Sequence, residues 1–157
     1  MICGRAGRTV RSGVWLLALA SCQAPTTSEP AAARPAQASA QAAVRSLAEV
    51  PRRTRGAGEI YLLARGEQAF LGKLEMAPGG EVPEHRDATE EYIHILEGGG
   101  TFTIDDKSYA VGPGTTIYMP ADAKVSFKNG DAKLVAIQVF ADPQPADKYD
   151  AWQPVDR

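Results

Sequence analysis

The sequence predicts an all-β domain, an antiparallel sandwich or small barrel, that follows a disordered N-terminal tether. From Glu59 onward, short β-prone runs recur at intervals of roughly ten residues. Glycine, proline and acidic turns separate these runs, and none of the intervening segments has a useful length of helical periodicity. Seven or eight strands at this spacing are typical of sandwiches and small barrels.

The predicted strands are bounded by recognisable turns. Asp105, Asp106 and Lys107 read as a hairpin turn, and residues 129–131 (Asn-Gly-Asp) give a stronger turn signal. We place the strands at residues 60–64, 69–76, 91–96, 100–104, 108–111, 115–119, 124–127 and 133–140.

Residues 1–21 have the pattern of a secretory signal peptide. Arg5, Arg8 and Arg11 form a positive leader, and residues 14–20 form a short apolar stretch. That stretch is too short to span a bilayer permanently. The sequence therefore predicts export of the chain.

The junction at residues 19–22 (Leu-Ala-Ser-Cys) resembles the lipobox of bacterial lipoproteins. The resemblance implies that Cys22 carries lipid and becomes the mature amino terminus, anchoring the protein to a membrane. Gln23, in place of aspartate, implies the outer membrane of a Gram-negative cell envelope. The alternative is an ordinary signal peptide with an incidental cysteine. Because Cys3 lies in the segment to be removed, no disulfide and no thiol catalysis are expected in the domain.

Residues 22–55 are predicted to form a flexible tether. Their first part is dominated by alanine and proline and contains no aromatic residue, so it cannot bury enough surface to order itself. Residues 44–55 are more basic and could contact anionic lipid or simply end a solvated linker. At the other end, residues 142–157 form a polar, proline-containing tail, which Tyr149 and Trp152 could pin to the domain.

The charge balance argues against nucleic acid as a partner. Of the 17 basic residues, three lie in residues 1–21, which leaves 14 against 19 acidic residues in the rest of the chain. A mildly acidic domain lacks the positive surface that phosphate backbones require.

Residues 79–98 contain the candidate chemistry. On an extended strand, side chains two residues apart share a face, so His85 and Asp87 point the same way. A tight turn after Asp87 would bring Glu91 back to the same pocket. One imidazole and two carboxylates on one face suit a divalent metal or an acid–base site.

Two spacings in this region resemble the motifs of the cupin superfamily, in particular its small bacterial single-domain members. Gly79, His85, Asp87, Glu91 and Gly98 match the spacing of the first motif. The second motif is matched by Gly114, Pro120 and Asn129. The resemblance covers residues 56–140 and implies a double-stranded β-helix, a cupin-type jelly-roll barrel, over residues 56–141. It also implies a site inside the barrel and, in many members, a homodimer formed through exchanged edge strands.

The departures from the family pattern concern the metal. The family's second histidine is Asp87 here, its last histidine is Val125, and a glycine is replaced by Asp122. His85, Asp87 and Glu91 remain as one nitrogen and two carboxylates, a hard set suited to Mn, Fe or Zn. We expect a single divalent ion held weakly, or none. His94 has the opposite strand parity to Glu91 and is predicted to face the surface or a dimer interface.

Two functions of different class follow. The first is an envelope-anchored binding protein that holds a sugar or a carboxylated metabolite against inward-facing Ile93, Ile95, Val125 and Phe127. The alternative is a metal-dependent dioxygenase or isomerase that uses His85, Asp87 and Glu91. A metal-free variant of the enzyme would rely on the carboxylate pair, because two like charges raise the pKa of one of them.

Overall fold

The computed structural model describes residues 42–156, and these residues form eleven strands and a 3₁₀ helix. The predicted signal peptide (residues 1–21), Cys22 and the first part of the tether lie outside the described residues. In chain order the elements are β1 Arg52–Arg55, β2 Gly58–Arg65, β3 Phe70–Met76, β4 Glu81–His85, β5 Glu91–Glu97, β6 Gly100–Ile104, β7 Lys107–Val111, β8 Thr116–Met119, β9 Val125–Asn129, β10 Leu134–Phe140, the 3₁₀ helix Gln144–Ala151, and β11 Gln153–Pro154.

The strands form two antiparallel sheets that wrap around one core. The larger sheet has the order β11-β1-β2-β3-β10-β5-β8, and the smaller has the order β4-β9-β6-β7. From β3 onward the chain passes repeatedly from one sheet to the other, which produces the jelly-roll winding of a double-stranded β-helix. The fold class predicted from the sequence is confirmed.

Strict alternation along the strands builds the core. In β5, Glu91, Ile93 and Ile95 are buried, whereas Tyr92 and His94 face outward. Because side chains alternate between the faces of a sheet, one strand supplies both core and surface. The main core combines residues of both sheets with Ala123 of the β8–β9 connection: Met76, Ile93, Ile95, Phe102, Ile117, Met119, Ala123, Val125, Phe127, Leu134 and Ala136.

All eight predicted strands are present, with ends that differ from the expected ones by at most two residues. The hairpin between β6 and β7 turns at Asp105 and Asp106, which have φ of 45° and 68°. Two successive residues with positive φ match the two-residue turn whose twist suits a β-hairpin, and aspartate tolerates this conformation.

Three strands were not predicted: β1, β4 and the two-residue β11. Arg52–Arg55, which we placed in the tether, form β1, so the sheet begins before the expected domain boundary at residue 56. This strand has no apolar periodicity; it is ordered because it pairs with both β2 and β11. Strand β4 contains Pro83, which argues against a central strand, but β4 lies at a sheet edge and pairs only with β9. Proline is tolerated at such an edge.

The C-terminal segment is ordered against the barrel. Tyr149 of the 3₁₀ helix is buried in a second core cluster with Ile60, Phe70 and Phe140. Its ring lies 5.8 Å from that of Phe70 and meets Trp152 edge-on at 5.1 Å. Tyr149 and Trp152 therefore hold the segment that follows β10. Within residues 42–156, no helix has the length and apolar character needed to cross a bilayer.

Candidate functional site

The end of β4 and the start of β5 define the candidate site. His85 is the last residue of β4, opposite Val125 of β9, and Glu91 is the first residue of β5, opposite Met119 of β8. Asp87 lies on the connection between β4 and β5, which belong to different sheets. The crossing from one sheet to the other therefore gathers side chains from both at one place in the barrel.

The three predicted ligand residues meet at this crossing. One donor atom from each of His85, Asp87 and Glu91 lies within 4.8 Å of the other two. The Nε2 atom of His85 is 3.5 Å from Oδ2 of Asp87. On the other side of the ring, Nδ1 donates a hydrogen bond of 2.9 Å to the carbonyl of Pro83. That bond fixes the ring orientation and directs Nε2 toward the cluster.

A lysine that the sequence analysis did not single out also enters the site. Nζ of Lys148 lies 3.1 Å and 2.9 Å from the two carboxylate oxygens of Asp87. The same ammonium group sits 4.7 Å from the centre of the Phe140 ring, a cation–π contact. The motif spacing gives no signal for Lys148, because it follows Asp87 by 61 residues and lies in the predicted tail.

The charged side chains of the site shift one another's pKa values. Burial would raise the pKa of Asp87, but hydrogen bonds from His85 and Lys148 and the charge of Lys148 outweigh it and lower that pKa. The hydrogen bond to Asp87 raises the pKa of His85, although burial partly opposes this effect. Both partners are therefore stabilised in their charged forms.

Glu91 has a different environment from Asp87. It is only 5 % exposed, and burial raises its pKa, although the hydrogen bond from Gln138 opposes this. The side-chain amide of Gln138 donates to Oε1 of Glu91, and its oxygen accepts a 2.6 Å hydrogen bond from the hydroxyl of Tyr149. Burial also raises the pKa of Tyr149. A chain of hydrogen bonds from Tyr149 through Gln138 to Glu91 thus runs beside the charged pair formed by Asp87 and Lys148.

The donor set fits a divalent ion in part. Ligand atoms bound to one ion lie at most about 4.4 Å apart, so a small contraction of the cluster would suffice. His85, Asp87 and Glu91 would hold the ion, which would act as a Lewis acid toward a ligand oxygen. At the position where the family pattern has its last histidine ligand, this chain has Val125, which is buried and apolar. His94 does not replace it, since its side chain is exposed and its Nδ1 lies 2.8 Å from Oγ1 of Thr116.

A small cavity of about 50 Å³ extends from the cluster into the barrel. Its polar lining comes from His85, Glu91 and Ser126. The apolar lining is Leu74, Val82, Ile93, Ile95, Phe102, Met119, Val125, Phe127 and Leu134. The four pocket residues named from the sequence are all on its wall. The cavity holds only a few water-sized groups, far less than the several hundred Å³ of a typical pocket for a drug-sized ligand.

Fold and site together define a small β-barrel domain of the cupin type. Residues 72–140 match the family model described as "Cupin domain". The match covers less than half of the chain, and it agrees with the cupin-type jelly-roll fold of the described residues. The 3₁₀ helix that carries Lys148 lies beyond the matched residues.

Solved structures share the fold at low sequence identity. An RmlC-like cupin from Shewanella frigidimarina aligns with a TM-score of 0.61 and 13 % identity over 65 % of this chain and 92 % of that chain. A predicted oxalate decarboxylase from Thermotoga maritima aligns with a TM-score of 0.58 and 23 % identity over 64 % of this chain and 99 % of that chain. The polyketide cyclase RemF from Streptomyces resistomycificus aligns with a TM-score of 0.58 and 21 % identity over 64 % of this chain and 79 % of that chain. These likenesses establish the fold alone.

One curated protein is similar in sequence over a short region. The chain is 37 % identical over 54 residues to dimethylsulfoniopropionate lyase DddW of Ruegeria pomeroyi. The similarity covers 34 % of this chain and 36 % of that protein. The chain therefore spans about a third of the length of this relative.

Proposed function

We propose that this protein is an envelope-anchored cupin that binds a small carboxylated metabolite in its barrel, without turnover. The observation that carries the proposal is the apolar cavity that opens beside His85 and Glu91. Its size favours a ligand of a few heavy atoms over a sugar, the other class considered from the sequence. An apolar wall with a few convergent polar groups is the usual form of a small-molecule site.

Two features of the cluster favour binding over metal chemistry. Lys148 already neutralises Asp87, and Val125 offers no ligand atom at the fourth position. We therefore propose that His85, Asp87 and Glu91 hold one divalent ion, such as Mn²⁺, Fe²⁺ or Zn²⁺, only weakly. An ion with three protein ligands would keep water or a ligand oxygen in its remaining positions.

Methyl NMR of the full-length protein tests ligand binding. The probes are acetate, glycolate, pyruvate and oxalate, with glucose and galactose for the sugar class, each at millimolar concentration. We expect a small carboxylate to shift the methyl signals of Ile93 and Ile95, which line the cavity. The methyl signal of Ile60, which lies in the second core cluster, should not move. If none of these probes shifts Ile93 or Ile95 selectively, the ligand class is refuted.

A metal-dependent enzyme is the second candidate. The dioxygenase and isomerase expected from the fold family remain open, and the local similarity to a dimethylsulfoniopropionate lyase adds a lyase acting on a small carboxylate. The test incubates the protein with dimethylsulfoniopropionate and Mn²⁺, Fe²⁺ or Zn²⁺ and follows loss of the substrate. Consumption that disappears in His85→Ala would favour the lyase over the binding protein. An unchanged substrate with every ion would count against a lyase.

The membrane anchor is a proposal that depends on Cys22, outside the described residues. We propose that lipid on Cys22 holds the protein in the envelope of a Gram-negative bacterium, with Gln23 directing it to the outer membrane. Replacing Cys22 with serine should move the protein from the membrane fraction to the soluble fraction. Unchanged fractionation would contradict the anchor.

We also propose that the protein forms a homodimer through the outer face of β5 and β8. Tyr92, Leu96 and Tyr118 on this face are 39 %, 45 % and 50 % exposed, and β8 is an open sheet edge. Sedimentation should show a dimer that Tyr118→Lys disrupts. As a control, Val44→Lys changes an exposed apolar residue outside the sheets and should leave the dimer intact.

A further inference from the structure

Lys148 is held at the site by its neighbours in the 3₁₀ helix. Tyr149, the next residue, is 3 % exposed and donates a hydrogen bond to Gln138. The Lys148 ammonium group lies over the ring of Phe140, which itself belongs to the buried cluster around Tyr149. The anchored tyrosine therefore fixes the backbone that delivers the lysine to the site.

The ammonium group of Lys148 is bound to the carboxylate oxygens of Asp87, which a metal ion would also need as ligands. It lies at hydrogen-bond distance from both oxygens of Asp87, so both are engaged. The oxygen at 2.9 Å from Nζ, Oδ2, is also the one that faces Nε2 of His85. A divalent ion between His85, Asp87 and Glu91 would place its charge next to the lysine cation and require the same lone pairs.

We propose that Lys148 is a built-in competitor for the candidate metal site and that a divalent ion binds only when Nζ leaves Asp87. The lysine side chain is 35 % exposed, so it can turn toward solvent while Tyr149 stays in place. Lys148 thereby sets the metal affinity of the site. This inference rests on the proposed weak metal site and adds the residue that makes it weak.

Metal titration of the full-length protein tests the competition. Lys148→Met keeps an unbranched side chain of similar length but removes the charge, and we expect it to bind Zn²⁺ and Mn²⁺ about tenfold or more tightly than the wild type. Lys148→Arg keeps the charge and should bind as weakly as the wild type. The matched control is Lys133→Met, which removes a different ion-paired lysine, on Glu75, and should also bind like the wild type. A thermal melt of each variant confirms that it is folded.

Lysine footprinting gives a second readout without activity. In the wild type, saturating Zn²⁺ should increase acetylation of Lys148, measured by mass spectrometry relative to exposed Lys107. Metal binding with equal affinity in the wild type and Lys148→Met, or without new reactivity at Lys148, overturns the competitor role but leaves a weak metal site. If no folded variant binds metal, the metal site and the competition both fall, whereas ligand binding detected by methyl NMR would still stand.

Discussion

The side-chain amide of Gln138 donates to the buried carboxyl group of Glu91 and is held in that orientation from its other end. Its oxygen accepts from the hydroxyl of Tyr149, so the nitrogen must face Glu91. We predict that Gln138→Leu lowers the free energy of unfolding by about 2–4 kcal/mol, because it strands two buried polar groups at once. Urea unfolding at neutral pH measures this loss.

Tyr149→Phe should lower the free energy of unfolding by a smaller amount than Gln138→Leu. It removes only the hydroxyl and should cost about 1 kcal/mol. Equal stability of Gln138→Leu and the wild type would mean that the chain of hydrogen bonds does not support the barrel.

Glu91→Gln should stabilise the protein at neutral pH. Burial raises the pKa of Glu91 above its ordinary value of 4.5, so the folded protein holds a proton that the unfolded chain releases. The wild type therefore loses stability as the pH rises from about 4.5 through the raised pKa of the folded state. The variant lacks this loss and should therefore be more stable than the wild type at pH 7, with a gap that closes as the pH falls toward 4.5. Unfolding curves from pH 4 to 8 test this, and a difference independent of pH would contradict it.

Glu75→Gln should show the opposite pH dependence. Burial would raise the pKa of Glu75, but ion pairs with Lys133 and Lys73, each at 2.6 Å, lower it below 4.5. The wild type therefore has stability that is present above about pH 4.5 and is lost as the pH falls through the lowered pKa of the folded state. We expect Glu75→Gln to be less stable by about 1 kcal/mol at pH 7. The two unfolding curves should converge in acid; a gap that persists there would refute the ion-pair explanation.

Two motif glycines should differ sharply in their tolerance of alanine. Gly98 has φ of +72°, and a Cβ atom there would lie 2.3 Å from the backbone oxygen of Lys133. Gly114 has φ of +82°, but a Cβ atom would meet nothing within 4 Å. We predict a loss of about 4 kcal/mol or no folded protein for Gly98→Ala. Gly114→Ala should cost only about 1–2 kcal/mol. Soluble yield and thermal melts test the contrast, and similar losses in both variants would contradict it.

The parts of the fold that depend on short-range rules could be predicted from the sequence. The alternation of Glu91, Ile93 and Ile95 with outward residues follows from strand geometry alone. The hairpin at Asp105 and Asp106 follows from turn chemistry. The meeting of His85 with Asp87 and Glu91 required only the family's spacing, since the barrel supplies the crossing between the sheets.

The rest depends on partners that are distant in the chain. Lys148 reaches Asp87 because the neighbouring Tyr149 is buried in the second core cluster. No local pattern in the proline-containing tail predicts that this segment packs against the barrel. β1 is ordered by its neighbours rather than by its own composition. The small volume of the cavity likewise depends on how side chains of both sheets interlock, which spacing along one strand does not reveal.

The pairing of β11 with β1 places both ends of the ordered domain on one side of the larger sheet. β8 lies at the opposite edge, five strands along from β1, or roughly 24 Å measured around the sheet at about 4.8 Å per strand. Attachment through either end of the domain, whether to a membrane or to a sensor surface, is therefore made at the sheet edge opposite to β8. Capture by either end therefore uses the same edge of the sheet and leaves the β8 edge, where we propose the dimer contact, free of the attachment.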